Sequence, residues 1–248
     1  MDLTIIVPVR NEAESLPILW QELAAVLDGL GRSAEVIFVD DGSTDASAAV
    51  IDGLAERDGR VRVLRFKANA GLTAAFDAGY RAARGRVVVT MDGDLQYDPR
   101  DLVDMLAGLA EADAVVGWRR DRADRLSKRV SSRVANAVRN WMTSETVSDS
   151  ACCLRVMRRE CLAALPPFQG MHRFVPTLLR MSGFRVVEMA VRHRPRRFGQ
   201  SKFGIRNRAL VAFEDLLAVR WMLARRLGYS VVEDTAGPPG ETRSTPSR

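Results

Sequence analysis

Asp92 and Asp94 follow directly on the apolar run Val87-Val88-Val89-Thr90-Met91, with Gly93 between them. Aspartate oxygens are hard ligands for Mg²⁺ or Mn²⁺, and a glycine lets the backbone turn sharply enough to aim both carboxylates at one cation. A cation held there would neutralise the charge that builds on a departing diphosphate. By itself an Asp-x-Asp at a strand end is also an ordinary turn or helix cap. Two further strand ends carry polar groups, however. Leu3-Thr4-Ile5-Ile6-Val7 runs into Pro8-Val9-Arg10-Asn11-Glu12, and Val36-Ile37-Phe38-Val39 runs into Asp40-Asp41-Gly42-Ser43.

These three ends meet only if the chain folds so that its strands share one rim. Short apolar runs near 3–9, 34–40, 61–66, 86–91 and 113–117 read as strands, and helical periods fall near 14–30, 44–57, 71–84 and 99–111. In the first helix Leu16, Leu19, Leu23, Val26, Leu27 and Leu30 keep the three-and-four spacing of one buried face. Asp98-Pro99 has the form of a helix start. Such alternation predicts an α/β fold with a doubly wound, mainly parallel sheet, in which ligands bind outside the carboxyl ends of the strands. A basic amphipathic helix is expected near 125–142, a short strand near 151–156, a helix near 171–182 and a strand near 184–193. The glycine-containing basic loop 194–204 follows, then a last helix near 205–227. The expected division is a catalytic domain over 1–228, with an acidic half (1–118), a basic half (119–204) and a helix (205–228) that packs or faces a membrane. Residues 229–248, rich in Pro, Gly, Ser and Thr, read as a disordered tail.

With 248 residues, 47% of them hydrophobic, the chain is large enough for a full core. Its net charge of +6 is unevenly spread. Residues 1–118 hold 11 Lys/Arg against 20 Asp/Glu, net −9, and residues 119–248 hold 26 against 11, net +15. An acidic half with metal ligands beside a basic half suits a metal-bound nucleotide meeting a second anion, at an anionic surface. Nucleic acid is not the expected partner, because aromatic residues are sparse and not interleaved with the arginines. A nucleotidyltransferase would need a glycine-rich phosphate loop after the first strand, where Arg10-Asn11-Glu12 stands. No apolar run reaches transmembrane length and the amino terminus has no signal-peptide pattern, so a cytoplasmic protein is expected. Cys152, Cys153 and Cys161 lack zinc-ligand spacing and read as reduced core residues.

The segments Val7-Pro8-Val9-Arg10-Asn11-Glu12, Val39-Asp40-Asp41-Gly42-Ser43-Thr44-Asp45, Asn69-Ala70-Gly71 and Met91-Asp92-Gly93-Asp94-Leu95-Gln96 together resemble family 2 glycosyltransferases. Asp149-Ser150-Ala151-Cys152-Cys153-Leu154-Arg155 and Arg197-Phe198-Gly199-Gln200-Ser201-Lys202-Phe203-Gly204 are similar to the polyprenyl-phosphate branch, which includes dolichyl-phosphate mannosyltransferase. The resemblance covers about residues 3–228 and implies a single-domain A-type glycosyltransferase fold. It implies Pro8, Arg10, Glu12, Asp40, Asp41, Asn69 and Asp92 around the nucleotide sugar, and Asp92, Asp94 and Gln96 around Mg²⁺ or Mn²⁺. It places Arg119, Arg129, Ser132, Arg197, Ser201 and Lys202 at an acceptor phosphate, with Asp92, Asp94 and Arg119 as the catalytic set. Two positions depart from the family pattern, Ala68 before Asn69 and Ala151 in the later motif.

Chemistry bears on the acceptor. A sugar hydroxyl must lose a proton to a base, yet no Asp or Glu occurs from Cys161 to Val187. A phosphate monoester, with a second pKa of about 6, is already anionic and needs cations instead. The expected reaction is therefore inverting, metal-dependent transfer of a hexose from GDP-mannose or a UDP-sugar to a polyprenyl (dolichyl or undecaprenyl) phosphate. It would occur peripherally on the inner face of the membrane. The alternative is a hydroxyl acceptor, with a base among His172, Asp149 and Glu160. Asp149 is otherwise expected to hold Arg155 or the metal-side loop.

Overall fold

The computed structural model describes residues 1–119, 136–143, 146–198 and 206–225. The first half alternates as expected: β1 (Leu3–Val9), α1 (Leu16–Leu30), β2 (Ala34–Asp40), α2 (Ser47–Arg57), β3 (Val61–Arg65), α3 (Leu72–Ala82), β4 (Val87–Thr90), α4 (Asp101–Ala107) and β5 (Ala114–Arg119). A helical segment at 136–143, α5, follows. Then come β6 (Arg155–Arg158), 3₁₀ turns at Arg159–Ala164 and Met171–Arg173, α6 (Val175–Met181), β7 (Val186–Val191) and α7 (Arg206–Ala224).

The strands form one seven-stranded sheet in the order β3-β2-β1-β4-β6-β5-β7. β6 is antiparallel to β4 and β5, and the other neighbouring pairs are parallel. β5 and β7 therefore point the same way as β1 to β4, and six carboxyl ends line one rim. Ile5, Ile6, Val7, Val36, Ile37, Phe38 and Val39 are all fully buried, as strands covered by helices on both faces must be. In α1 the buried face is Leu16, Leu19, Leu23 and Leu27, each worth about 1.5–3 kcal/mol of burial. Gly31, at φ 59°, ends that helix in the left-handed conformation.

Among the boundaries that differ from the sequence expectation, three have a local cause. The strand expected near 151–156 begins at Arg155, because the preceding residues are committed to other partners. Cys152 N–H donates to the Asp149 carbonyl and Cys153 N–H to the Tyr97 hydroxyl. The helix expected near 171–182 divides into a 3₁₀ turn and α6, whose first turn carries Pro176. α4 begins at Asp101 rather than Pro99, since the Asp98 carboxylate takes the N–H and guanidinium of Arg100. Most of the expected helix 125–142 and the tail 229–248 lie outside the described residues.

Candidate active site

The β1–α1 and β2–α2 loops are laced together at the rim. Asn11, at φ 51°, accepts the Thr44 N–H at 2.7 Å, and its own N–H donates to Ser43 Oγ at 3.1 Å. Glu12 N–H donates to Ser47 Oγ at 2.8 Å. The Asp40 carboxylate accepts the Ser43 N–H at 2.9 Å and meets Arg65 Nε at 3.3 Å. Asp41 accepts the N–H groups of Ala70 and Gly71, at 2.6 and 3.0 Å. Buried Asp41 thus shapes the loop that carries the exposed Asn69. Pro8 is the next-to-last residue of β1, and half-buried Arg10 follows the strand.

The β2–α2 and β3–α3 loops touch at Gly42, which sits at φ 65°, and a Cβ there would come within 2.7 Å of Ala68 C and Asn69 N. Gly42→Ala therefore forces both a disfavoured backbone and a clash with main-chain atoms. It should lower stability by about 2–3 kcal/mol, measured by urea denaturation.

Beyond β4, the left-handed turn falls not on Gly93, as the sequence leads one to expect, but on Leu95, at φ 63°. A buried leucine in the left-handed region is uncommon, and such strain concentrates where side chains must be aimed. Asp94 is buried, and its Oδ1 accepts the Gln96 N–H at 3.1 Å. Burial, then the charge of Asp94, pushes the Asp92 carboxyl up to about 7, against opposing effects of Cys153, Arg155 and Arg119. Between about pH 4 and 7 the folded chain therefore keeps a proton on Asp92 that the unfolded chain has released, so metal-free stability falls as pH rises through that window. Denaturation in EDTA at pH 5 and pH 7 should show this loss, and Asp92→Asn should remove its Asp92-dependent part.

Among the described residues no cluster of three or more His, Cys, Asp and Glu side chains forms a ready metal cage. The donor set nevertheless fits a divalent ion that binds with a diphosphate, because Mg²⁺ characteristically takes one or two carboxylates and fills its other places with phosphate oxygens and water. The mutual repulsion of Asp92 and Asp94 marks a place short of positive charge. A protein cation answers that shortage: Arg196 Nη2 lies 2.5 Å from Asp94 Oδ2, and its Nη1 lies 3.2 Å from Glu12 Oε1.

Arg196 belongs to the stretch after β7 and was not singled out by the sequence reading. Its signal was available as the alternation Arg192, Arg194, Arg196, the spacing of an extended chain with one charged face. Arg192 pairs with Asp101 and Asp98, and Arg194 with Glu22 and Asp98. Gln96 Nε2 donates to the Arg194 carbonyl at 3.4 Å.

Arg119 ends β5 in a two-pronged bond to Asp149, 2.6 Å from Nε to Oδ2 and 2.9 Å from Nη2 to Oδ1. Asp149 thus holds Arg119. The Arg155 guanidinium, fully buried, donates through Nη2 to the His172 carbonyl at 2.7 Å. His172 Nδ1 lies 2.7 Å from Thr73 Oγ1. Glu160 falls at the opposite edge of the sheet, since β6 runs away from the rim, pairing Arg155 with Thr90 but Arg158 with Val87. Arg197 is exposed beside Arg196. Arg129, Ser132, Ser201 and Lys202 lie outside the described residues. The three cysteines are buried and unpaired, and burial raises each thiol above its usual range.

The sequence profile of glycosyl transferase family 2 matches residues 4–165, which include Arg10, Glu12, Asp40, Asp41, Asn69, Asp92, Asp94 and Gln96. The chain belongs to glycosyl transferase family 2. Among curated relatives of this family 2 glycosyltransferase, a dodecaprenyl-phosphate galacturonate synthase of Rhizobium johnstonii is 37% identical over 90% of the chain and 68% of the relative. An undecaprenyl-phosphate 4-deoxy-4-formamido-L-arabinose transferase of Edwardsiella ictaluri is 33% identical over 82% of the chain and 63% of the relative. The chain thus spans about two thirds of the length of these proteins. Among solved structures, glucosyl-3-phosphoglycerate synthase of Mycobacterium tuberculosis with UDP superposes with a TM-score of 0.65 at 22% identity, over 89% of this chain and 80% of that one. The same enzyme with Mn²⁺, UDP and phosphoglyceric acid gives 0.61 at 20% identity, over 90% and 76%. These likenesses establish the A-type glycosyltransferase fold.

Proposed function

We propose that this glycosyltransferase transfers a hexose from a nucleotide-diphospho-sugar, GDP-mannose or a UDP-sugar, to a polyprenyl phosphate, with inversion at the anomeric carbon. The observation that carries this reading is the engagement of each candidate base. Asp149 is occupied by Arg119, His172 Nδ1 by Thr73, and Glu160 stands at the far edge of the sheet. An acceptor that arrives already ionised fits such a site, and the named activities of the relatives agree with it.

In this reading the β1–α1, β2–α2 and β3–α3 loops, with Arg10, Glu12, Asp40 and Asn69, receive the nucleoside, and Asp41 keeps the frame of the last two. Asp92, Asp94 and Gln96 would hold Mg²⁺ or Mn²⁺, which would offset the charge on the leaving diphosphate. Arg119, fixed in orientation by Asp149, together with Arg129, Ser132, Arg197, Ser201 and Lys202, would draw the acceptor phosphate close and set it in line with the leaving group.

Work at a membrane face is supported by the helices that flank the site. α7 buries Leu216 and Val219 but leaves Val211, Phe213, Leu217 and Trp221 exposed, and Trp141 of α5 is 78% exposed. Arg220 and Arg225 stand among them, and an anionic lipid surface would attract these charges. Among the described residues no helix is long and apolar enough to cross a membrane. We place this contact on the cytoplasmic leaflet.

The test is a radiolabelled transfer assay offering GDP-mannose, UDP-glucose, UDP-N-acetylglucosamine and UDP-galacturonate to undecaprenyl or dolichyl phosphate with Mn²⁺. Metal-dependent label in the lipid phase supports the proposal and names the donor. Donor hydrolysis without lipid product would instead favour a hydroxyl acceptor.

A further inference from the structure

One carboxylate assigned to the metal, Asp94, already has a cation, and backbone pairing delivers it. Tyr97 and His193 form an antiparallel bridge, and Arg194 N–H donates to the Gln96 carbonyl at 2.8 Å. Continued by three residues, that register sets residue 196 against residue 94, where the Arg196 guanidinium meets Asp94 and, through its other nitrogen, Glu12. Below it, the ion pairs of Arg192 and Arg194 with Asp101, Asp98 and Glu22 hold the segment along the same edge. An isolated exposed ion pair would carry little meaning. Here Asp94, Asp98 and Asp101 are nearly buried, Asp94 at 7% exposure, while Arg196 at the end of the row is the member placed on an assigned metal ligand.

We propose that Arg196 is a displaceable counter-cation of the metal site. It holds Asp94 and Glu12 aimed while no metal is bound, and it competes with a free divalent ion for the Asp94 oxygen. A guanidinium and a divalent ion cannot share Asp94 Oδ2 at contact distance without strong repulsion, so metal binding requires Arg196 to leave. A free ion offers that guanidinium no new partner. A metal–nucleotide diphosphate brings phosphate oxygens, with which arginine pairs well. Arg196 thereby favours arrival of metal and nucleotide together over binding of the ion alone. It acts as a positioning residue.

The inference rests on Asp94 being a metal ligand, and its test separates the two claims. Mn²⁺ binding to the full chain is measured by electron paramagnetic resonance, with and without UDP or GDP, at fixed pH and ionic strength. Without nucleotide, Arg196→Gln should tighten Mn²⁺ binding about tenfold, equivalent to about 1.4 kcal/mol. Arg196→Lys, which keeps the charge, should stay within about twofold of wild type, and Asp94→Asn should abolish the signal in either background. Arg81→Gln, which removes one charge from the distant surface of α3, should have no effect. Unchanged or weaker Mn²⁺ binding in Arg196→Gln, with Mn²⁺ still bound through Asp94, would overturn the counter-cation and leave the metal assignment standing. Absence of Asp94-dependent Mn²⁺ binding even with nucleotide would overturn both. Arg196→Ala, which also removes the charge, carries the same tenfold expectation if the Gln variant folds poorly.

Discussion

Sugar transfer by Asp94→Asn is expected to be about a thousandfold slower than by the wild type, with a far smaller change in folding stability. Asparagine keeps the size and one oxygen of the side chain, so the turn through Leu95 and the Gln96 N–H bond to position 94 can survive. What disappears is the negative charge that would fix a divalent ion over the diphosphate. Because Asp94 lies in a nearly buried position, bulk water cannot substitute for that charge. Arg196 loses one of its two ion-pair partners in the same variant but keeps Glu12 and is partly exposed to solvent, so the stability cost should stay within about 1 kcal/mol. Single-turnover transfer under saturating donor, with circular dichroism as the folding control, separates the two. Residual activity within about tenfold of wild type would remove Asp94 from the reaction's charge balance.

Much of this site could be read from the chain because two simple periodicities placed it. The apolar runs ending at Val9, Val39 and Thr90 are strands that the alternation with α1, α2 and α3 makes parallel, and parallel strands leave their carboxyl ends together. Hence Glu12, Asp40, Asp92 and Asp94 could be expected on one rim without coordinates. The role of Asp41 was not legible, since capture of the Ala70 and Gly71 amides depends on two loops meeting across Gly42. The same is true of Asp149. Its sequence neighbour Arg155 was a plausible partner, but β6 turns back antiparallel between β4 and β5, and this brings the loop before it against the end of β5 and Arg119. Arg196 was hidden for a related reason. Its meaning comes from the antiparallel register with the segment 94–97, a contact across about a hundred residues that no local pattern announces.

Loss of Asp149 is expected to be the most destabilising polar change in the site. Burial opposes the charge on Arg119, yet the bond to Asp149 outweighs it, and the guanidinium is held above its usual range. Both side chains are close to buried, at 11% and 5% exposure. Asp149→Ala leaves the arginine charged with its two-pronged acceptor gone, which costs about 3–5 kcal/mol for a buried pair broken on one side. Arg119→Lys should cost less, because a lysine can still meet one carboxylate oxygen, but it loses the planar fork that fixes the group in orientation. Transfer by that variant should fall about 10–100-fold, chiefly through a higher KM for the lipid phosphate if Arg119 receives the acceptor. The decisive variant removes the pair altogether. Arg119→Met with Asp149→Leu replaces two compensating charges by apolar side chains of similar length, a change that is often neutral or stabilising. If the double variant melts near the wild-type temperature but does not transfer sugar, the ion pair is retained for its charge and its aim, because packing alone would hold the fold. If it both folds and transfers normally, Arg119 does not serve the acceptor, and the cations that do must be sought elsewhere in the basic half of the chain.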